Sequence, residues 1–211
     1  MNRPLGVVDI VYASRGDIVE RAKVARADGY AHIDPLLGTD PATLALPVGC
    51  PTSFPKPVDT WCSTPAPSAD IEGSWERAVR WWRAAPHALL EPHADAVVNS
   101  AETVHAFREA VPGVRLLLDT GHVANWGGDP LELLDLADHV QLRQGSPGHA
   151  QLHVDDPSGV VDFEAIFGRL ERLDYRGLVS IEYFDLPEHG WPLHDPEAWA
   201  LDLATSIRAT A

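Results

Sequence analysis

Short apolar runs bounded by Gly, Pro or Asp alternate along the chain with stretches in which apolar residues recur at helical spacing. This alternation is typical of βα units that build a parallel sheet. In the second half, Ser100, Asp129 and Asp162 stand where a helix-capping side chain is expected. The elements predicted there are strands 87–92, 114–119, 138–143 and 177–183, each followed by a helix, at 100–111, 129–137, 162–173 and 195–209.

The first half follows the same pattern less regularly, because residues 35–69 are rich in proline and hold only short strand candidates. Its predicted elements are strand 5–12, helix 17–27, strands 30–34, 46–50 and 58–63, and helix 74–85. Eight strands in 211 residues predict one compact (β/α)8 TIM barrel spanning 1–211. The helices after strands 2 and 3 are expected to be shortened or replaced by loops.

Composition narrows the class of protein. Asp and Glu number 31 against 16 Lys and Arg, a formal charge of −15 that argues against nucleic acid as a partner. No apolar run approaches the roughly 18 residues of a membrane span, and no leader is recognisable, so we expect a cytoplasmic protein without a membrane partner. Cys50 and Cys62 are interpreted as reduced, buried thiols. The oligomeric state stays open, and the sequence is compatible with a homo-oligomer.

Four oxygen-bearing side chains fall at or near the ends of four consecutive strands: Glu91, Asp119, Gln141 and Glu182. Catalytic groups of (β/α)8 enzymes lie at this end of the barrel, so the four are expected to converge. Carboxylates and an amide oxygen are hard ligands, which favour Mn²⁺, Mg²⁺ or Co²⁺. The sequence therefore predicts one divalent metal ion. Taken singly, each residue is more often a helix cap or a solvated charge.

These residues lie in the motifs LLEPH, LLLDTGH, HVQLR and VSIEYFD, which resemble the xylose-isomerase-like TIM barrels of sugar isomerases and epimerases. In that family strand five supplies Glu, strand six Asp-x-x-His, strand seven His or Gln, and strand eight Glu. The resemblance covers about residues 86–185, including GVVDFEAIFGRLERLDYRGLVSIEYFD.

The resemblance implies a metal-dependent isomerase or epimerase that acts on a small polyhydroxylated carbonyl compound through an enediolate. The substrate would be a sugar, a sugar acid or a cyclitol. Glu91 and Glu182 would exchange the proton, and His122 would hold a substrate oxygen. Many members have His where Gln141 stands, whereas hydroxypyruvate isomerase, inosose dehydratase and some dehydroshikimate dehydratases are similar to this sequence in using Gln.

Further candidates surround this set. Hydroxypyruvate-isomerase-like members carry Pro-Gly-Arg where this chain has Pro-Gly-His, so the arginine that binds an anion there is absent from this motif. Arg143 is the candidate to replace it, because it lies two residues past Gln141 and therefore on the same interior face. A rim salt bridge is the alternative. His93, two residues past Glu91, is a candidate acid or base, with a loop or capping histidine as the alternative. Trp61 and Trp126 are candidate pocket walls or ordinary packing residues.

Three other functions compete with isomerisation. A metal-dependent dehydratase of the inosose or dehydroshikimate type would expel a β-hydroxyl with His93 or His122 as the acid. A non-catalytic, degenerate barrel used as a binding module is favoured by the shortened first half. A hydrolase like endonuclease IV needs many histidines for a zinc cluster and a basic face for DNA, and Gln141 and the charge of −15 count against it.

Overall fold

The structure is a computed structural model that describes residues 3–36, 39–51, 62–187 and 191–210. Within these residues the strands are β1 (Gly6–Val8), β2 (Ile33–Asp34), β3 (Cys62–Pro65), β4 (Ala88–Glu91), β5 (Arg115–Asp119), β6 (Ala137–Leu142), β7 (Gln144–Ser146), β8 (His149–Leu152) and β9 (Leu178–Ile181). The α-helices are α1 (Ile18–Ala27), α2 (Ser74–Ala84), α3 (Ala101–Ala110), α4 (Thr120–Asn125), α5 (Phe163–Arg172) and α6 (Pro196–Thr210).

Seven of these strands form one parallel sheet in the order β2-β1-β9-β6-β5-β4-β3. Val48 pairs in parallel with Ile33, which places the predicted strand 46–50 beside β2 as a single bridge. The first and last parallel strands, β1 and β9, are neighbours. This cyclic order is that of a (β/α)8 barrel and confirms the predicted fold class.

Within the described residues, a loop replaces the helix after β2, as predicted. In the described residues between Asp34 and Val48, the regular element is one 3₁₀ turn, Pro41–Thr43, begun by Asp40. Most of the connection after the third strand lies outside the described residues. So does the start of the predicted strand 58–63, of which the structure describes the part from Cys62 onward.

Side chains that accept backbone hydrogen bonds begin most of the long helices. Ser100 accepts a bond from the amide of Thr103, whose hydroxyl accepts one from the amide of Ser100 in return, and Asp162 accepts from the amide of Ala165. Asp17 begins α1 in the same way. The predicted helix starts at Ser100 and Asp162 are therefore confirmed, because these side chains satisfy amides that the helix itself leaves unpaired.

The predicted strand 5–12 is wrong beyond Val8, where the chain turns into a 3₁₀ helix, Asp9–Arg15. The run of apolar and β-branched residues favours a strand locally. Tertiary contacts hold the turn instead, since the hydroxyl of Tyr12 donates to Asp28 at 2.6 Å and Asp9 pairs with Arg21 at 3.2 Å. β1 thus ends at Val8, and the next residue, Asp9, lies at the mouth of the barrel.

The predicted helix 129–137 is also wrong, because Asp129 begins only a 3₁₀ turn, Pro130–Glu132, and β6 starts as early as Ala137. The helix between β5 and β6 lies earlier, as α4. Asp119, the last residue of β5, begins α4 by accepting hydrogen bonds from the amides of Gly121 and His122.

A hairpin, β7 and β8, follows β6 and was not predicted. Pro147 and Gly148 form its two-residue loop, and Gly148 has a φ of 83°, which matches a type II turn with Pro and Gly at its central positions. The hydroxyl of Tyr183 accepts from the amide of Gln144 and donates to the carbonyl of Leu152, which fixes both hairpin strands to the segment after β9.

The main hydrophobic core lies between the sheet and the helices, and it includes Trp82 and Phe107. A smaller apolar cluster of Cys50, Leu89 and Leu117 fills part of the barrel interior. None of the helices in the described part of the chain combines the length and the apolar character that crossing a membrane would need.

Gly121 is predicted to be required for the packing of α4. A Cβ there would lie 2.0 Å from the carbonyl oxygen of Ala150 and 2.5 Å from Cγ of Arg143, so Gly121→Ala should lower the free energy of unfolding by about 3 kcal/mol. Gly168→Ala in α5 is the control, because its Cβ meets only the flexible tip of Arg172, and it should stabilise by roughly 0.5–1 kcal/mol. Urea unfolding measures both. Equal effects of the two substitutions would contradict this packing.

Candidate active site

The four strand-end side chains of the sequence pattern lie together at the carboxyl end of the barrel. Asp119 and Gln141 are direct register partners on β5 and β6, Glu91 ends β4, and Glu182 follows β9. Oxygen atoms of Glu91, Asp119 and Glu182 lie within 4.8 Å of one another. The structure therefore brings three carboxylates into one small volume, and all three are buried.

Arg143 lies among these carboxylates. Its Nε is 3.0 Å from Oδ1 of Asp119, and its Nη2 is 2.7 Å from Oδ2 of Asp119 and 3.1 Å from Oε2 of Glu182. The side chain points to the same interior face as Gln141, as predicted, and is fully buried. It is a buried ion-pair partner of the site rather than a rim salt bridge.

Two histidines stand beside Glu91. Nε2 of His93 is 3.3 Å and Nε2 of His122 is 3.9 Å from Oε1 of Glu91. The two imidazole rings stack, with centroids 3.5 Å apart. His122 is placed by α4, whose first turn Asp119 holds, so one carboxylate positions both Arg143 and His122.

A cavity of about 540 Å³ opens onto this end of the barrel. Glu91, His93, His122 and Glu182 all line it, whereas Asp119, Gln141 and Arg143 lie behind that surface with an exposure of at most 1%. The volume suits a small organic molecule. Reactive groups thus face the cavity, and the rest of the cluster supports them from within.

Burial shifts the pKa values of two groups on the cavity wall, Glu182 and His122, in opposite directions. Burial, followed by the neighbouring carboxylates of Asp119 and Glu91, raises the pKa of Glu182 well above its ordinary value, against the opposing effect of Arg143. Burial, followed by His93 and Arg143, lowers the pKa of His122 well below its ordinary value. His122 is therefore neutral near pH 7, and Glu182 holds a proton more readily than a solvated glutamate does.

Two overlapping groups have the donors that a divalent metal ion needs: Glu91, Asp119 and Glu182, and Glu91, His93 and His122. Gln141, the register partner of Asp119 on β6, carries a further amide oxygen. Within the described part of the chain, neither amide atom of Gln141 makes a hydrogen bond although the side chain is fully buried. Such unpaired buried atoms are costly unless something else satisfies them, so the carboxylate and amide set fits a hard divalent ion.

Of the two predicted tryptophan walls, Trp126 is not part of this arrangement. Trp61 lies outside the described residues, and Trp126 is half-buried against the main core, away from the cavity. Trp191 and Phe184 take that place instead, with ring centroids 5.1 Å apart. Phe184 was detectable in the sequence, because it follows Glu182 by two residues and so shares its face. No local pattern marks Trp191.

The mouth of the cavity also holds Asp9, paired with Arg21. Burial raises the pKa of Asp9, and Arg21 opposes that effect. Asp9 was missed as a site candidate in the sequence, because the predicted strand 5–12 runs through to Tyr12 and so placed Asp9 within the strand. With β1 ending at Val8, Asp9 stands at a strand end, which is the signal that found the other carboxylates.

Carboxylates from neighbouring strands meet around one cavity at the carboxyl end of the barrel. This is where (β/α)8 barrel enzymes have their active sites, so fold and site together define that class. The family model described as xylose isomerase-like TIM barrel matches residues 57–209, which is more than half of the chain. The chain therefore belongs to the xylose isomerase-like TIM barrel family, and the resemblance seen in the sequence is confirmed.

The proteins to which this chain is similar include a dehydratase and an epimerase. An inosose dehydratase from Geobacillus kaustophilus (strain HTA426) is 28% identical, and the match covers 53% of this chain and 46% of that protein, so the chain spans about half its length. The crystal structure of L-ribulose 3-epimerase superposes with a TM-score of 0.72 at 16% identity, covering 99% of this chain and 94% of the other. The IolI protein with a bound zinc atom superposes with a TM-score of 0.58 at 15% identity, covering 98% of both chains.

The low pKa of His122 predicts an acid-sensitive site. Unfolded histidine takes up a proton near pH 6.5 and folded His122 does not, so protons favour the unfolded state and stability falls as the pH drops below that value. Between pH 7.5 and 5.5 one such histidine costs about 1.4 kcal/mol. His122→Asn should therefore lose less stability over this interval than the parent does, measured by urea unfolding at both pH values. Identical losses in the two proteins would refute this assignment.

Proposed function

We propose that this protein is a metal-dependent isomerase or epimerase that moves a proton beside the carbonyl group of a small polyhydroxylated compound. One observation carries the proposal: Glu91 and Glu182 face the same cavity from different strands, within a cluster of carboxylates that can bind a divalent ion. The family includes sugar epimerases and dehydratases among its relatives, which supports an enzyme acting on a small sugar-like molecule.

The residues that would hold the ion are Glu91, Asp119, Gln141 and Glu182. A divalent ion at this position supplies a Lewis acid that polarises the carbonyl and stabilises negative charge on its oxygen. The unpaired amide of Gln141 and the hard oxygen donors favour Mn²⁺, Mg²⁺ or Co²⁺. The zinc in the related IolI barrel supports a divalent ion as the class of cofactor.

The two glutamates serve as the proton-transfer pair. Burial raises the pKa of Glu182 well above its ordinary value, which favours the protonated form that a general acid needs. Glu91 has His93 as a neighbour on the cavity side, at 3.3 Å. A substrate carbon between them can lose a proton to one carboxylate and regain one from the other on the opposite face, which inverts that centre. Return of the proton to the former carbonyl carbon, with transfer of the hydroxyl proton between the two oxygen atoms, moves the carbonyl to the neighbouring carbon instead.

His122 has the properties of a substrate-binding donor. It is neutral near pH 7 because burial lowers its pKa, and within the described residues its buried Nδ1 makes no hydrogen bond. A neutral imidazole donates from one nitrogen and accepts at the other. It can therefore orient a substrate hydroxyl without adding a positive charge to the site.

Dehydration is the second candidate, and the adjacent rings of His93 and His122 favour it. Nε2 of each ring lies within 4 Å of Oε1 of Glu91, so His93 can pass a proton to a departing hydroxyl while neutral His122 orients the substrate. The inosose dehydratase relative supports the same reaction class. Both reactions begin by removing a carbon-bound proton, so they share one site and differ in the fate of the enolate.

We predict that the purified protein binds about one divalent ion per chain. Asp119→Ala or Glu182→Gln should weaken Mn²⁺ binding about 100-fold or more, because each removes a charged ligand. Gln141→His should retain the ion, since imidazole also binds these metals. Isothermal titration of EDTA-treated protein with Mn²⁺ and Co²⁺ measures these affinities.

Asp95→Asn is the matched control, because Asp95 lines the same cavity but lies outside both groups of metal-binding candidates. It should bind the ion as the parent does. Elemental analysis and titration that find no ion in the parent protein would exclude the metal site. Loss of binding in a folded Gln141→His variant would show that Gln141 does not occupy a ligand position.

We further predict that the enzyme exchanges deuterium from D₂O into the carbon beside the carbonyl of its substrate. Ketoses, inososes and dehydroshikimate are the panel, and NMR follows both the exchange and the product. Glu91→Gln and Glu182→Gln should each slow exchange by roughly 100-fold to 10,000-fold at saturating metal, because a proton-transfer group is lost while side-chain volume is kept. His122→Asn should have an intermediate effect.

Asp95→Asn should leave the exchange rate unchanged, since it alters charge on the cavity wall outside the proton-transfer pair. Exchange that persists in both glutamate variants would remove them from the mechanism. Turnover without exchange would favour direct hydrogen transfer or hydrolysis. Ligand binding without turnover across the panel would favour a binding module.

A further inference from the structure

Arg143 contacts two of the proposed metal ligands, so its charge acts on any ion that binds beside it. Nη2 of Arg143 contacts Oδ2 of Asp119 at 2.7 Å and Oε2 of Glu182 at 3.1 Å. These two residues are also two of the proposed metal ligands. A metal ion that used the same oxygen atoms at about 2.0–2.2 Å would place a second positive charge against the guanidinium.

Arg143 is built into this place rather than resting there by chance. Its backbone amide and carbonyl both hydrogen-bond to the hydroxyl of Thr120, at 3.0 and 2.8 Å. The ring of Phe184 lies 4.8 Å from the guanidinium carbon, and Gly121 leaves the space that its Cγ and Nε occupy. These contacts hold the fully buried side chain against the carboxylates.

The charge balance explains why a cation is needed here. Glu91, Asp119 and Glu182 carry three negative charges when ionised, and three buried like charges within 4.8 Å repel one another strongly. Arg143 offsets one of them and hydrogen-bonds to Asp119. A divalent ion would offset two and would coordinate the same residues. The guanidinium therefore contacts two of the carboxylates that the ion would also need.

We propose that Arg143 is an internal counter-cation that competes with the divalent metal ion for Asp119 and Glu182. This proposal rests on the metal site proposed above and adds how its affinity is controlled. The guanidinium keeps the carboxylates assembled when no ion is bound, and an ion enters only by drawing these oxygen atoms away from Arg143. Metal affinity is thus lower than the donor set alone would give.

The test compares Arg143→Met, which keeps most of the length but loses the charge, with the parent and with Arg143→Lys. Arg169→Met is the control, because Arg169 makes an exposed ion pair with Asp135 far from the site. Each EDTA-treated protein is titrated with Mn²⁺ and with Co²⁺ by calorimetry, and its melting temperature is recorded with and without each ion. Neither readout depends on catalytic activity.

Arg143→Met should bind Mn²⁺ about tenfold or more tightly than the parent, since a competing positive charge at contact distance is worth at least that much. Without an ion it should melt at a lower temperature than the parent, and added Mn²⁺ should raise its melting temperature more. Arg143→Lys should be intermediate, because an ammonium group makes fewer contacts. Arg169→Met should bind as the parent does. Recovery of Arg143→Met only from Mn²⁺-containing buffer would also support the exchange.

Equal or weaker Mn²⁺ binding by both Arg143 variants, with no larger thermal shift, would overturn the competition. If the parent then still binds an ion that Glu182→Gln cannot bind, the proposed metal site stands and only the role of Arg143 fails. If neither the parent nor any Arg143 variant binds Mn²⁺ or Co²⁺, the metal site itself fails, and the counter-cation proposal fails with it.

Discussion

The ion pair between Arg143 and Asp119 is the interaction on which the carboxyl end of this barrel depends. Three carboxylates converge there with little exposure, and a buried charge is tolerated only when it is paired and hydrogen-bonded. Asp119 meets this need with two backbone amides and the guanidinium. The same carboxylate therefore ends a strand, starts α4 and fixes the cation that shields Glu182.

A second buried polar layer supports the site from within the barrel. Asp34 pairs with His139 at 2.9 Å and accepts a hydrogen bond from the amide of Cys50, while His32 contacts Ser180 at 3.0 Å. Although burial opposes it, the two histidines hold the pKa of Asp34 below its ordinary value. Interior residues alternate along a strand, so the residues two positions beyond His139 and Ser180 belong to the site itself. The ligand candidates on β6 and after β9 thus stand on a layer whose own hydrogen bonds fix those strands.

A site of the proposed kind can serve more than one reaction, because both isomerisation and dehydration start from the same proton abstraction. In that proposal the carboxylates and the bound ion stabilise the negative charge, whereas the groups at the mouth determine the fate of the enolate. His93 and Trp191 belong to that mouth. The fold is common to the family, and we expect the loops around the site to set the specificity.

Local sequence determined much of the fold and identified most residues of the candidate site. Alternation of apolar runs with helical periods gave the parallel barrel, Ser100 and Asp162 marked helix starts, and acidic residues at strand ends identified Glu91, Asp119 and Glu182. These features are readable because strand ends in a parallel barrel meet at one rim, so position along the chain predicts position in space.

Tertiary structure decided what depends on contacts between distant segments. Sequence placed Arg143 on the interior face but could not show whether its charge would meet substrate or carboxylate, because that depends on the room left by Gly121 and on the approach of Glu182. It also favoured a helix at 129–137, since Asp129 followed by Pro resembles a helix start. The stronger capping by Asp119 placed the helix directly after β5 and so positioned His122 against Glu91. The helix position and the partner of Arg143 both depend on which of several competing interactions is the stronger. The local sequence pattern shows that these interactions are possible but does not give their relative strengths.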